Sequence, residues 1–376
     1  MRILNVANVS KEHIRKFHIP FINHMKQQGH TVDVACRMDE PVPECDNAYD
    51  LPCDRNPFKG GLIKSIRRLS EIIKYNDYDA VICNTLTGGI ITRGTAAFMG
   101  KKMPKVFYIV HGLHFFEGAS ISRWIMGYPM EKVLAPFTDV LITINNADYK
   151  MVQKHLNPKE IKKIPGIGCN LDKFRSCQLN SEERNKLRES LGVSEKDLML
   201  IYVAEINDNK NQGMLVKALQ MIKADILEAK LVLVGPEHDG GQLRNTVNDT
   251  GLSDDVVFAG WRDDVPALLK AADIYVASSK SEGLPINLLE AMASNLPVVA
   301  GENRGHCEIL DSGKNGYLVE KGDAEAMAEL VVRIARDEKL RKELIEQAQS
   351  DIEKYASENV HQLLEEILEK YTYSEK

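Results

Sequence analysis

Nowhere does the chain hold the roughly 18 consecutive apolar residues that a membrane-spanning helix needs, so no transmembrane segment is expected. The apolar run at the N-terminus, Met1–Val9, is too short and too interrupted by polar residues for a signal peptide, and reads as a buried strand. On that reading the chain stays in the cytoplasm, or peripherally on the inner face of the cell membrane. The seven cysteines (Cys36, Cys45, Cys53, Cys83, Cys169, Cys177 and Cys307) are scattered, odd in number and without a Cys-x-x-Cys pair. Neither a zinc ribbon nor a disulfide scaffold is signalled by that spacing. Aromatic residues make up 6%, and no stretch interleaves them with basic side chains, which argues against a nucleic-acid platform. Short-period repeats and low-complexity segments are absent as well.

What remains is the composition of a soluble globular protein, 44% hydrophobic and 27% charged, in 376 residues, enough for two domains. The net charge of −6 hides an asymmetry. Residues 1–170 carry 23 Lys+Arg against 16 Asp+Glu, a balance of +7; the remainder carries 25 against 38, a balance of −13. A basic first half suggests that it meets something anionic: nucleic acid by charge alone, or a phosphate-bearing lipid or a membrane surface.

Along the chain, strand and helix signals alternate. In the first half strands are expected at 3–6, 31–35, 80–83, 105–110 and 140–144, with helices near 18–28, 61–75, 90–99 and 121–136. A polar loop is expected at 8–11 and an irregular connection at 38–60. In the helix near 121–136, Ile121, Trp124, Ile125 and Tyr128 recur at helical spacing, for a core face or for a membrane surface flanked by Arg123 and Lys132; Pro129 is expected to interrupt it. The segment 164–172, a strand edge running into a Gly/Pro-rich connector, marks a boundary, after which the alternation restarts: strands at 198–204, 230–235, 256–260, 274–277 and 297–300, helices at 211–223, 239–249, 263–271, 286–293 and 323–336. The expected fold class is α/β, two doubly wound parallel sheets facing a cleft. The domains are residues 1–169 and 170–354, with a C-terminal helix at about 355–376 crossing back onto the first.

The stretch Ala277–Ala293 organises the second half. A strand ends in Ser281-Glu282-Gly283-Leu284-Pro285, and a helix opens near Ile286. A helix N-terminus at a strand end suits a phosphate. Glu282 and Glu290, with seven residues between them, suit neutral hydroxyls, which carboxylates accept as short charge-assisted hydrogen bonds. Sugars offer such hydroxyls.

Glu282-(seven residues)-Glu290, the following Ala291–Ala300, the segment Ile164–Phe174 and Gly313-Lys314-Asn315-Gly316-Tyr317-Leu318-Val319 together resemble the retaining glycosyltransferases of family 4, in their bacterial exopolysaccharide and capsule group. The resemblance covers most of the chain and implies the GT-B fold. It implies that Glu282 holds donor-sugar hydroxyls and that Glu290 accepts from the nucleotide ribose. Gly283 and Leu284 would bring backbone N–H groups to the sugar or diphosphate. Lys210 would neutralise the diphosphate. Many relatives place an Arg where this sequence has Glu205, so Arg262 or Arg304 would supply the missing charge. His111, in His111-Gly112-Leu113-His114, would lie under the donor sugar, and His114 and Glu117 would face the acceptor. The loops 5–10 and 85–89 are candidate acceptor loops. The catalytic set is therefore Glu282, His111 and Lys210. No Asp-x-Asp of the kind that metal-dependent sugar transferases use marks a site, so neither metal nor cofactor is expected beyond the donor.

The function so implied is retaining transfer of a hexose from a nucleoside-diphosphate sugar, a UDP-sugar above others, to a lipid-diphosphate-linked saccharide in surface polysaccharide assembly. The rivals are a UDP-sugar epimerase of the same fold and a non-catalytic nucleotide-sugar-binding protein. No nucleic-acid partner is expected.

Overall fold

The computed structural model describes residues 1–54 and 60–373. The chain divides into two compact units, Met1–Gly168 with Ser357–Lys376, and Cys169–Ala356. Each is built on an all-parallel sheet.

The first sheet has seven strands: β1 (Arg2–Val9), β2 (Thr31–Arg37), β3 (Ala48–Asp50), β4 (Ala80–Asn84), β5 (Lys105–Val110), β6 (Val140–Thr143) and β7 (Glu160–Lys163), in the order β3-β2-β1-β4-β5-β6-β7. The second has six: β8 (Leu198–Val203), β9 (Ala229–Val234), β10 (Val256–Gly260), β11 (Ile274–Ala277), β12 (Val298–Gly301) and β13 (Tyr317–Val319), in the order β10-β9-β8-β11-β12-β13. Central strands such as β4, β6, β11 and β12 are buried along their whole length, as strands covered on both faces must be. Both orders reverse direction once, between β1 and β4 and between β8 and β11. Open parallel sheets bind ligands beyond the strand ends at such a point.

Several expectations change. The polar loop expected at 8–11 is not a loop: β1 runs on to Val9, and Ser10–His18 forms a wide π-helical segment that leads directly into the helix Ile19–Gln27. The connection 38–60 is not wholly irregular, because Ala48–Asp50 pairs in parallel with β2; residues 55–59 of it lie outside the described residues. The third helix starts at Leu86 and not near 90. Gly88 and Gly89 mark close packing in its first turn, where an added Cβ would lie 3.0 Å from Ala7 Cα and 2.7 Å from the Tyr108 ring, respectively. Pro129 does not interrupt the helix Ile121–Leu134. The strand edge expected from 164 lies earlier, as β7, and the sequence reading had no counterpart for the helix Asn146–His155 or for the three-residue β13. Short, half-exposed segments carry too few apolar residues to show a period.

The C-terminal helix Ser357–Tyr373 belongs to the first unit, and residues 374–376 of the helix expected there lie outside the described residues. It is held by Glu365, whose carboxylate oxygens lie 2.7 Å from His24 Nε2 and 3.1 Å from His30 Nε2. Gly168 has φ +90°, and a side chain there would run into Ser357 Cα at 2.9 Å. Only glycine meets both conditions. Among the described residues no helix is long and apolar enough to cross a membrane.

Candidate active site

In the second unit the reversal point sets two loops side by side. One follows β8, residues 204–211; the other follows β11, residues 278–285. They are sewn together at several points. The Asn209 carbonyl accepts from the Lys280 N–H at 2.7 Å, Asn209 Nδ2 donates to the Ser281 carbonyl at 3.1 Å, and the Ser278 hydroxyl donates to the Lys210 carbonyl at 2.8 Å. Beneath them Tyr202 Oη and Ser279 Oγ share a hydrogen bond of 2.6 Å. This framework brings Lys210 Nζ to 2.6 Å from Glu282 Oε1, with both side chains mostly shielded from water, at 20% and 16% exposure.

The loop after β12 closes the third side. Asn303 Oδ1 accepts from the N–H groups of Gly305 and His306, both at 3.0 Å, and Asn303 Nδ2 donates to the Ser279 carbonyl at 2.8 Å. Arg304 Nε donates to the Glu282 carbonyl at 3.1 Å, which places its guanidinium beside the Lys210–Glu282 pair. His306 is buried, with Nδ1 2.6 Å from the Gly301 carbonyl; burial holds its pKa down, so it stays neutral at pH 7. Gly305 packs against the site so closely that a Cβ would lie 2.8 Å from Glu282 Cβ and 3.0 Å from Pro285 Cδ.

The helix Ile286–Ala293 opens next to Glu282 and Gly283 with no side chain capping its N-terminus. Such an end presents N–H donors and partial positive charge. Glu290 lies on this helix. Burial pushes its carboxyl up to about 7, against the pull of Lys173. No hydrogen bond or ion pair to its carboxylate is found among the described residues.

The other expected donor contacts fall differently. The Glu205 side chain is exposed, and its backbone carbonyl accepts from Gln212 Nε2 at 2.8 Å. Arg262 is held by Asp264 in a two-pronged contact of 2.7 and 2.6 Å. Of the two cations proposed to replace the missing arginine, Arg304 is the one tied to Glu282.

The first unit has its own candidate site at the ends of β1, β4 and β5. His111 follows β5, and its Nε2 lies 3.0 Å from Asn84 Oδ1. Asn84 Nδ2 donates to Asn5 Oδ1 at 2.7 Å, so Asn84 Oδ1 is the acceptor and His111 Nε2 carries the proton. Burial lowers the His111 pKa to about 4. His111 borders a cavity of about 550 Å³, lined also by Asn8, Thr85, His114, Arg123 and Glu131. Glu117 is exposed in the turn that follows. Under the cavity Glu131 is fixed by Arg93, at 2.7 and 3.2 Å, and by the Tyr108 hydroxyl at 3.0 Å. Asp77-Tyr78-Asp79 does have Asp-x-Asp spacing, but it precedes β4, at the opposite end of that strand, and Asp79 accepts from the Arg2 backbone N–H at 2.8 Å.

Sequence reasoning did not single out Asn209, Ser278, Ser279, Asn303 or His306, nor the pairing of His13 and His18 with His111. An asparagine three residues before a histidine, closing a strand–helix loop, was the available signal for the first group.

Two Rossmann-type units with a carboxylate–lysine pair at a strand-order reversal define the architecture of the GT-B sugar transferases. The model of the glycosyl transferases of group 1 matches residues 183–351, and that of the glycosyl transferase 4-like proteins matches residues 2–145. The chain is 37% identical over 344 residues to the "Putative glycosyltransferase EpsD" of Bacillus subtilis, covering 91% of this chain and 90% of that one. It is 28% identical over 283 residues to the UDP-Gal:alpha-D-GlcNAc-diphosphoundecaprenol alpha-1,3-galactosyltransferase of Escherichia coli, covering 74% and 72%. Among solved structures, HepE of Anabaena in complex with UDP and glucose superimposes with a TM-score of 0.81 at 19% identity, over 98% of this chain and 100% of that one. The chain belongs to the group 1, family 4-like glycosyltransferases, and its fold is GT-B.

Proposed function

We propose that this enzyme transfers a hexose from a UDP-sugar, with retention of anomeric configuration, to a lipid-diphosphate-linked saccharide in surface polysaccharide assembly. The observation that carries the reading is the Lys210–Glu282 pair beside the open N-terminus of the helix Ile286–Ala293. Without donor, each charge satisfies the other. With donor, Lys210 and the helix N–H groups turn to the diphosphate, where leaving-group charge develops, and Glu282 turns to the sugar hydroxyls. Arg304 adds a second cation to the same anion. Glu290, neutral up to about pH 7, both donates to and accepts from a ribose diol. The leaving phosphate itself takes the acceptor proton, so the protein supplies position and charge and no general base. The galactosyltransferase relative, whose name gives a UDP-sugar donor and a lipid diphosphate acceptor, supports the choice of both substrates.

A membrane-surface role for the first domain has its own support. The helix Ile121–Leu134 turns Trp124 and Tyr128 inward onto Phe115, at ring separations of 5.2 and 5.3 Å. Ile121, Ile125, Met126 and Val133 remain exposed on its outer side, with Arg123 beside them, while Lys132 is half-buried and donates to the His155 carbonyl at 2.6 Å. That face suits the interface of an anionic bilayer, where a lipid-linked acceptor would be met.

The test is turnover of UDP-glucose, UDP-galactose and their N-acetyl forms with a synthetic polyprenyl-diphosphate saccharide, followed by NMR of the new anomeric proton. An α-linked product is expected, with turnover down roughly 100-fold or more in Glu282→Gln and in Lys210→Ala. Epimer or free UDP formed without acceptor would favour the epimerase reading. Tight UDP binding with no transfer would leave a binding protein.

A further inference from the structure

We propose that His13, His18 and His111 form a three-histidine site for a zinc-type divalent metal in the first domain. One ligand atom from each imidazole lies within 4.8 Å of the others, and His13 Nε2 is 3.1 Å from His18 Nε2. A tetrahedral zinc with Zn–N bonds of about 2.0–2.1 Å separates neighbouring nitrogens by about 3.4 Å, so this pair is already near the required spacing.

The backbone is arranged for that meeting. His13 and His18 are five residues apart, which on an ordinary α-helix puts them about 140° apart around the axis. Here they lie on the π-helical segment Ser10–His18, whose wider turn relates residues i and i+5 and brings the rings to 4.8 Å between centroids. Nine residues of π-helix is a long run of a rare conformation, whose single-turn form is frequent at functional sites. His111 arrives from the end of β5, edge-on to both rings at 4.9 and 5.4 Å. The Asn5–Asn84 relay fixes its tautomer and ring plane, as outer partners do for metal-bound histidines. In the empty state one proton lies between His13 and His18. Binding gives both Nε2 lone pairs to the metal, and the shared proton leaves to the donor ring's other nitrogen or to water. Three protein nitrogens leave a fourth position for water or another ligand. The bound metal would clamp the segment after β1 to the end of β5, beside the cavity that His111 borders. This inference rests on the first domain alone; it gives His111 to the metal in place of the donor-sugar contact that the family resemblance implies, and its failure would leave the reading built on Lys210 and Glu282 untouched.

The experiment uses the full chain, stripped with a chelator and titrated with Zn²⁺ by calorimetry and with Co²⁺ by visible absorption. One tight equivalent is expected, with the ligand-field bands of four-coordinate cobalt. In wild type, NMR of the imidazole nitrogens should show Zn²⁺-dependent shifts at these three histidines. His13→Ala, at a half-exposed side chain, should weaken binding at least tenfold. His30→Ala, at the His30, Glu365 and Glu369 cluster, should leave it unchanged. Should His13→Ala not fold, the wild-type NMR result decides alone. No tight equivalent, one that survives His13→Ala in folded protein, or NMR shifts confined to other histidines would overturn the proposal.

Discussion

Glu290 shows how much one side chain's surroundings decide. A carboxyl placed on the first turns of a helix would ordinarily be favoured in its charged form, yet here burial wins and holds it up to about 7. The folded protein therefore binds a proton that the unfolded chain has already lost above about pH 4.5, so this group's contribution to stability falls as pH rises from about 4.5 to 7. The full effect amounts to about 3 kcal/mol. Glu290→Gln should flatten the fall in melting temperature over that range and melt higher than wild type above pH 7; identical profiles from scanning calorimetry would contradict the assignment. Glu282 and Lys210 could be picked out from the residues because motif and position agreed. The inversion at Glu290 could not, since it depends on what surrounds the carboxyl and not on what neighbours it in sequence.

Among the elements, the loop after β12 carries the most constraint in the fewest residues. Gly301–His306 looks mobile in sequence, yet Asn303 closes the loop on itself through the Gly305 and His306 N–H groups and ties it to the Ser279 carbonyl, and Gly305 brings it against Glu282. Gly305→Ala adds one carbon where none fits, at a cost of about 1–3 kcal/mol taken up by the site. A UDP affinity at least fivefold weaker in isothermal titration is the expected result, with the far-UV spectrum unchanged; equal affinity would show that the loop yields freely. The helix Ile121–Leu134 makes the complementary prediction. Ile125→Ser combined with Met126→Ser should cut co-sedimentation with phosphatidylglycerol vesicles several-fold and leave the melting temperature within about 2 °C, because both side chains are exposed. Its apolar period was visible in the sequence. Which of those residues face inward was not: Trp124 and Tyr128 turn in only because Phe115 receives them.

For the whole molecule, the last helix belongs to the domain that the chain built first. Beside its buried Val360, Leu364 and Leu368, Glu365 adds to that return through His24 and His30, and losing both contacts costs about 1–3 kcal/mol. Glu365→Ala should lower the melting transition of the first unit by several degrees and leave that of the second in place, with UDP raising only the second. Calorimetry that shows both transitions shifting together would contradict this. The sequence by itself determined the alternation of strands and helices, the two parallel sheets and the glutamate–lysine motif, because hydrophobic periodicity and strand-end motifs are local. Only the tertiary structure decided that Lys210 meets Glu282 across 72 residues, that Arg304 and not Arg262 stands beside them, and that His13, His18 and His111 converge. Those juxtapositions depend on strand order, and strand order is set by how distant segments pack, which no local pattern records.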